Sequence, residues 1–95
     1  HVDHVLGNAF VKDFFKVPLL IHAKDEPTLR AVKVYAPLYG FSVYHEALPD
    51  RFLQDDEVIR FGRQQLKVLF LPGHAPGHVG FYSEEAACIV SGDVL

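Results

Sequence analysis

The chain has 95 residues, the length of one small domain, and nine Lys and Arg against twelve Asp and Glu give it a net charge of −3. This net negative charge offers no basic surface for nucleic acid. The apolar fraction of 49% excludes a disordered chain, and the apolar runs are too short to span a membrane. A single cysteine excludes an internal disulfide framework, so any bound metal would need His, Asp or Glu ligands.

The first half of the chain shows two helical patterns. Apolar residues recur at helical spacing over residues 6–15, and residues 18–22 are predicted to form a short buried strand. A second helix is predicted to begin near Asp25, whose carboxylate would cap it, and to kink or end at Pro37. Residues 41–56 have no clean period and are predicted to be mostly loop.

The second half has the pattern of antiparallel strands. Residues 58–61 and 66–71 flank a Gly-containing turn and predict one hairpin, and residues 79–82 and 86–90 predict another. Cys88 lies in the last of these strands and is expected to be a small buried residue. The whole pattern predicts an α/β (α+β) fold, with helices on one face of a mixed or antiparallel sheet.

The chain opens on three candidate metal ligands, His1, Asp3 and His4. Imidazole and carboxylate groups together suit zinc, manganese or iron. At a turn from a strand into a helix the three side chains could converge. The alternative is that Asp3 only caps the following helix and that the histidines are exposed terminal residues.

Two further clusters follow strands. His74 lies between two Gly- and Pro-containing segments, whose rigid backbone favours a preorganised metal ligand. His78 is the residue before the next predicted strand and would support the metal site. Asp93 follows an apolar strand, where its carboxylate could bridge two cations. The alternative for His74 and His78 is a tight turn in which both histidines are merely exposed. The alternative for Asp93 is an ordinary aspartate in a turn.

These segments resemble the motifs of one family. His1-Val2-Asp3-His4 looks like the last four positions of a His-x-His-x-Asp-His signature. Residues 72–78 match a Pro-Gly-His-Thr-Pro-Gly-His-like loop, with Ala75 in place of the commoner Thr, and residues 92–95 resemble a Gly-Asp-x-Leu-Phe-like strand end. In this order the motifs are similar to those of the metallo-β-lactamase-fold hydrolases, and within them of the glyoxalase II-like (hydroxyacylglutathione hydrolase-like) branch.

The resemblance implies a set of five metal ligands around two ions, with Asp93 shared between them. His1, His74 and Asp93 would hold one ion, and Asp3, His4 and Asp93 the second. Asp3 is also expected to be catalytic. His78 would act by supporting the ligands, and the substitution at Ala75 removes one hydroxyl near the site without removing a ligand. Two Zn²⁺ ions are expected, with Fe or Mn as alternatives.

The resemblance also implies that residues 1–95 are the central portion of a single domain, truncated at both ends. The fold would be part of an αββα sandwich. Two ligands of the family would lie outside the chain, namely the first His of the opening motif and a final His after Leu95. We therefore expect the isolated chain to be inactive.

The function that the resemblance implies is metal-dependent hydrolysis of a small-molecule thioester such as an S-acylglutathione, through a hydroxide that bridges the metals. A mononuclear iron persulfide dioxygenase of the same fold is the alternative, and a lactonase or β-lactamase also stays open. Neither nucleic acid nor a membrane is an expected partner, and a cytoplasmic location is the default for a chain with one Cys. The acyl group and the oligomeric state are not predicted.

Overall fold

The computed structural model describes residues 1–94 and divides into two compact units. Unit 1 contains His1–Ile21 and Glu26–Phe52. Unit 2 contains His22–Asp25 and residues 53–94.

Unit 1 begins with two helices, α1 over Val2–Val5 and α2 over Asn8–Phe15. The sequence predicts one helix over residues 6–15, and the structure instead places a break before Asn8, at Gly7, a residue type that favours helix poorly. Lys16 adopts a left-handed conformation and ends α2 two residues before Pro18.

The second predicted helix is confirmed as α3, over Glu26–Tyr35. Leu29 and Val32 are buried, and Arg30 forms an ion pair of 2.8 Å with Glu26 one turn earlier, which favours the helix. A 3-10 turn over Ala36–Tyr39 contains Pro37 and follows α3 directly. The predicted kink or end near Pro37 is therefore this change from α-helix to a tighter turn.

A two-stranded sheet joins β1, Leu20–His22, to β2, Arg51–Leu53. The sequence predicts β1 but assigns residues 51–53 to a loop, which is wrong. Two hydrogen bonds beside the sheet explain the difference, because the Leu19 N–H donates to Asp50 Oδ2 at 2.7 Å and the Asp50 N–H donates to the Leu19 carbonyl at 2.8 Å. The pairing is set by a partner about 30 residues away and not by the local pattern.

Unit 2 contains an antiparallel sheet of four strands in the order β3-β4-β5-β6. The strands are Val58–Phe61, Gln64–Phe70, Val79–Ser83 and Cys88–Val90. Both predicted hairpins are confirmed, although β4 begins two residues earlier than the pattern indicates. Val68 is fully buried at the centre, whereas Cys88 is exposed, contrary to the sequence prediction.

The mixed α/β class predicted from the sequence is confirmed. The α-helices lie in unit 1 and the antiparallel sheet in unit 2. Within the described residues, every helix is too short to cross a membrane.

Candidate metal centre

The first candidate ligands lie at the start of unit 1. Asp3 and His4 are in α1, where His4 Nε2 is 3.5 Å from Asp3 Oδ2, and His1 is the residue before this helix. Asp3 does not cap the following helix, because the residue that precedes α2 is Gly7. The alternative assignment of Asp3 as a simple helix cap is therefore wrong, and its carboxylate faces an imidazole instead.

The second candidate ligand lies in the loop between β4 and β5. The Leu71 N–H donates to the His78 carbonyl at 2.8 Å and closes the base of this loop. Within it, the N–H groups of Gly73 and His78 donate to the Ala75 carbonyl at 3.3 and 3.2 Å. These bonds fix the backbone on both sides of His74, as the Gly and Pro residues predict.

The loop brings His74 to the last candidate ligand. Asp93 lies in a 3-10 turn over Gly92–Val94, directly after β6, and its Oδ2 is 3.7 Å from His74 Nε2. A tetrahedral ion with metal–ligand bonds of about 2.0–2.2 Å holds its ligand atoms roughly 3.4 Å apart. The His74–Asp93 and His4–Asp3 pairs therefore both have the donor types and the spacing of two ligands on one ion.

The turn that carries Asp93 is held by His78. His78 Nε2 lies 2.6 Å from the Ser91 carbonyl, and because a carbonyl only accepts, this nitrogen carries the proton. A Cβ on Gly92 would lie 3.2 Å from His78 Cε1, and the φ of Gly92 is +60°, so both the contact and the backbone favour glycine here. The predicted supporting role of His78 has a physical basis in this contact.

The loop that carries His74 is held by a residue that the sequence analysis assigned otherwise. Asp25 Oδ1 accepts a hydrogen bond of 2.7 Å from the N–H of Gly77, a buried residue. The sequence predicts Asp25 only as a cap of α3. The two residues are 52 positions apart, so no local pattern could indicate the bond.

The other histidines have structural settings. His22 stacks on Phe70 with ring centroids 4.5 Å apart, and Lys24 Nζ lies 5.1 Å from the centre of the Phe70 ring. His22 is thus a packing residue, as expected. His45 is exposed, also as expected.

Among residues 1–94, no three His, Cys, Asp or Glu side chains gather into one group that could hold a metal ion. The structure instead pairs Asp3 with His4 and His74 with Asp93. The convergence of all five predicted ligands on two ions stays a prediction.

Comparisons with known proteins agree with these motifs. The profile of the Metallo-beta-lactamase superfamily matches residues 1–95. The chain is 34% identical over its whole length to the hydroxyacylglutathione hydrolase GloC of Haemophilus influenzae, and it spans 46% of that relative. It is therefore under half as long as this curated relative.

Two solved structures have the same fold as the chain. The di-iron-bound form of TTHA1623 is 36% identical with a TM-score of 0.84, and the BLEG-1 B3 metallo-beta-lactamase is 31% identical with a TM-score of 0.83. Each comparison covers 100% of this chain and 46% of the other. The predicted fold and the predicted resemblance are confirmed, and the chain belongs to the metallo-beta-lactamase superfamily.

Proposed function

We propose that the chain is the ligand-bearing part of a metal-dependent hydrolase of thioesters such as S-acylglutathiones. The observation that carries this proposal is the His74–Asp93 pair, with 3.7 Å between Nε2 and Oδ2, at two motifs that the family profile covers. The similarity to a hydroxyacylglutathione hydrolase over the whole chain supports the substrate class.

The donor set indicates which residues would hold the metals. His1, His74 and Asp93 would bind one ion, and Asp3, His4 and Asp93 the other. Imidazole and carboxylate ligands accept zinc, iron or manganese, and we assign two zinc ions. When bound, two such ions supply a water of lowered pKa and a positive charge beside the oxygen of the carbonyl under attack.

The residues of the chain that surround the proposed ligands hold these ligands in place and transfer no proton. Asp25 holds the loop of His74, and His78 holds the turn of Asp93. A thioester releases a thiolate, which leaves without a strong general acid. The site therefore needs no Ser or Cys nucleophile and no dedicated acid, which agrees with a site built of His and Asp.

The chain covers less than half of its similar relatives, and we propose that further ligands belong to a longer protein, here called the full-length protein. Loss of even one ligand lowers metal affinity. The isolated 95-residue chain should show at most trace activity. Hydrolysis of S-lactoylglutathione by the isolated chain at the rate of the full-length protein would contradict this expectation.

The proposed function is tested by the hydrolysis of S-lactoylglutathione by the metal-loaded full-length protein. Thiol release should stop on chelation and return when zinc is added. His74→Ala and Asp93→Ala should abolish it, whereas Glu84→Ala, an exposed residue in the turn after β5, should not. One iron per chain, with turnover that consumes oxygen and a glutathione persulfide, would overturn the hydrolase in favour of the dioxygenase.

A further inference from the structure

A cavity of about 550 Å³ lies in unit 1, against α3 and beside the first metal motif. His1 and Asp3 form one wall. Val32, Tyr35 and Tyr39 form much of the rest. Two proposed metal ligands therefore face the same space as the aromatic rings of the helix and its following turn.

The cavity follows a single stripe of the helix. Thr28, Val32, Tyr35 and Tyr39 are spaced at four, three and four residues, which places them in line along α3 and the 3-10 turn. Val32 is only 3% exposed and forms the floor, whereas the two tyrosines are exposed. Phe41 adds a third aromatic ring.

The lining has the composition of a small-molecule site. Such sites commonly have volumes of about 300–1,000 Å³, with mostly apolar walls and a few polar groups. The polar groups of this cavity are the Thr28 and tyrosine hydroxyls and the two ligand side chains, and none of the lining residues is Lys or Arg. Glutathione carries two carboxylates, and the apolar part of this cavity offers them no Lys or Arg side chain, so its lining favours an uncharged apolar group.

We infer that this cavity binds the acyl group of the thioester, and that the preferred substrates carry an aromatic or branched aliphatic acyl group. This inference rests on the proposed function. If the ions that His1 and Asp3 would hold bound the thioester carbonyl, one of the two groups that flank this carbonyl would lie beside the cavity that these residues line. In the reaction the C–S bond breaks, water supplies the oxygen of the acid, and a proton from that water goes to the departing thiolate.

A matched pair of substrates tests the inference. S-mandeloylglutathione differs from S-lactoylglutathione only by a phenyl group in place of a methyl group. Burial of the phenyl group should raise kcat/KM about tenfold or more in the full-length protein. Equal kcat/KM values for the two thioesters would overturn the inference and leave the hydrolase function intact.

A variant that fills the cavity tests whether the preference for the mandeloyl thioester arises there. Thr28→Trp adds an indole to an exposed wall position without removing a core residue, and it should lower kcat/KM for the mandeloyl thioester about tenfold while the lactoyl value stays within about twofold. Val34→Trp is the matched control, because Val34 is exposed on α3 and does not line the cavity. An equal loss on both substrates with Thr28→Trp would contradict the inference.

A binding measurement separates the cavity from the chemistry. The probe is the thioether analogue of S-mandeloylglutathione, in which CH₂ replaces the carbonyl, titrated calorimetrically into the full-length protein. Thr28→Trp should raise its Kd about tenfold, and Val34→Trp should leave it unchanged. If another segment of the full-length protein already filled the cavity, Thr28→Trp would lower Tm without changing Kd, which would overturn the inference. If the metal-loaded full-length protein hydrolysed neither thioester, the proposed function would be contradicted instead. The Kd values of the thioether would then still test whether the cavity binds the aromatic group.

Discussion

Asp25 Oδ1 accepts a hydrogen bond of 2.7 Å from the backbone N–H of Gly77, which joins the 3-10 turn over Ala23–Asp25 to the loop that carries His74, both within unit 2. A carboxylate acceptor makes this bond stronger than one between neutral groups. The bond connects a residue with no predicted role in the site to the positioning of a proposed metal ligand.

Removal of the Asp25 carboxylate should loosen the His74 loop. Asp25→Ala leaves the buried Gly77 N–H without its acceptor, which costs about 1–3 kcal/mol of unfolding free energy. Zinc affinity of the full-length protein should also fall, by about tenfold, as measured by competition with a chromogenic chelator. Asp25→Asn keeps an acceptor oxygen and should lose less. Equal Tm and zinc affinity in Asp25→Ala and the exposed control Glu85→Ala would refute the role of this bond.

Gly77 itself should not tolerate a side chain. A Cβ at this position would lie 2.8 Å from both Asp25 Cγ and Asp25 N, so Gly77→Ala must displace backbone and should cost about 1–3 kcal/mol. Gly7→Ala is the matched control, because a Cβ there meets nothing within 4 Å and the backbone φ is −89°. Chemical denaturation of the two variants should show a loss for Gly77→Ala alone. The same unfolding free energy in both would contradict the close approach.

His78 should control metal affinity without binding metal. His78→Ala removes the donor to the Ser91 carbonyl and frees the turn of Asp93, so zinc affinity should fall about 10–100-fold. His78→Gln can restore an N–H donor and should recover part of the loss. His45→Ala, an exposed histidine in unit 1, should leave zinc affinity unchanged. Full zinc affinity in His78→Ala would show that the Ser91 contact has no such role.

Asp50 should make the stability of the protein depend on pH in the acid range. The hydrogen bond from the Leu19 N–H, followed by that from Lys12, lowers the pKa of the Asp50 carboxyl below its ordinary value of 3.8. Its contribution to stability is therefore present above pH 3.8 and is lost as the pH falls through the lower folded-state pKa.

The Asp50→Asn variant tests this directly. Its Tm should be below that of the wild type above pH 3.8, and the difference should shrink on further acidification. Asp13→Asn removes a carboxylate from the exposed surface of α2 and serves as the control for net charge. A Tm difference that stays constant across the acid range would contradict the pKa shift of Asp50.

Local chemistry explains which parts of the fold could be predicted. The hairpins around residues 62–63 and 84–87 have turn residues between strands of clear pattern, and both were found. β2 was missed because its pairing depends on Asp50 and Leu19, which lie 31 positions apart. The break at Gly7 was missed because the apolar spacing continues through it, and periodicity does not report a local loss of helix propensity.

In the candidate site, too, the residues with a local sequence signal could be predicted and those that depend on distant neighbours could not. His74 and Asp93 were found because each belongs to a motif with its own Gly or Pro context, and the structure places them 3.7 Å apart. The Asp25–Gly77 bond and the cavity beside α3 depend on tertiary neighbours, which spacing in the sequence does not reveal. The sequence pattern thus indicates the proposed ligands and the supporting residue His78, but not Asp25 or the aromatic residues that line the cavity.

Metal stoichiometry in three variants of the full-length protein tests the shared role of Asp93 most directly. Elemental analysis of the wild type should give two zinc ions per chain, as a two-metal hydrolase requires. His74→Ala should lose one ion, His4→Ala the other, and Asp93→Ala both. An Asp93→Ala protein that is folded and still holds two zinc ions would contradict the account.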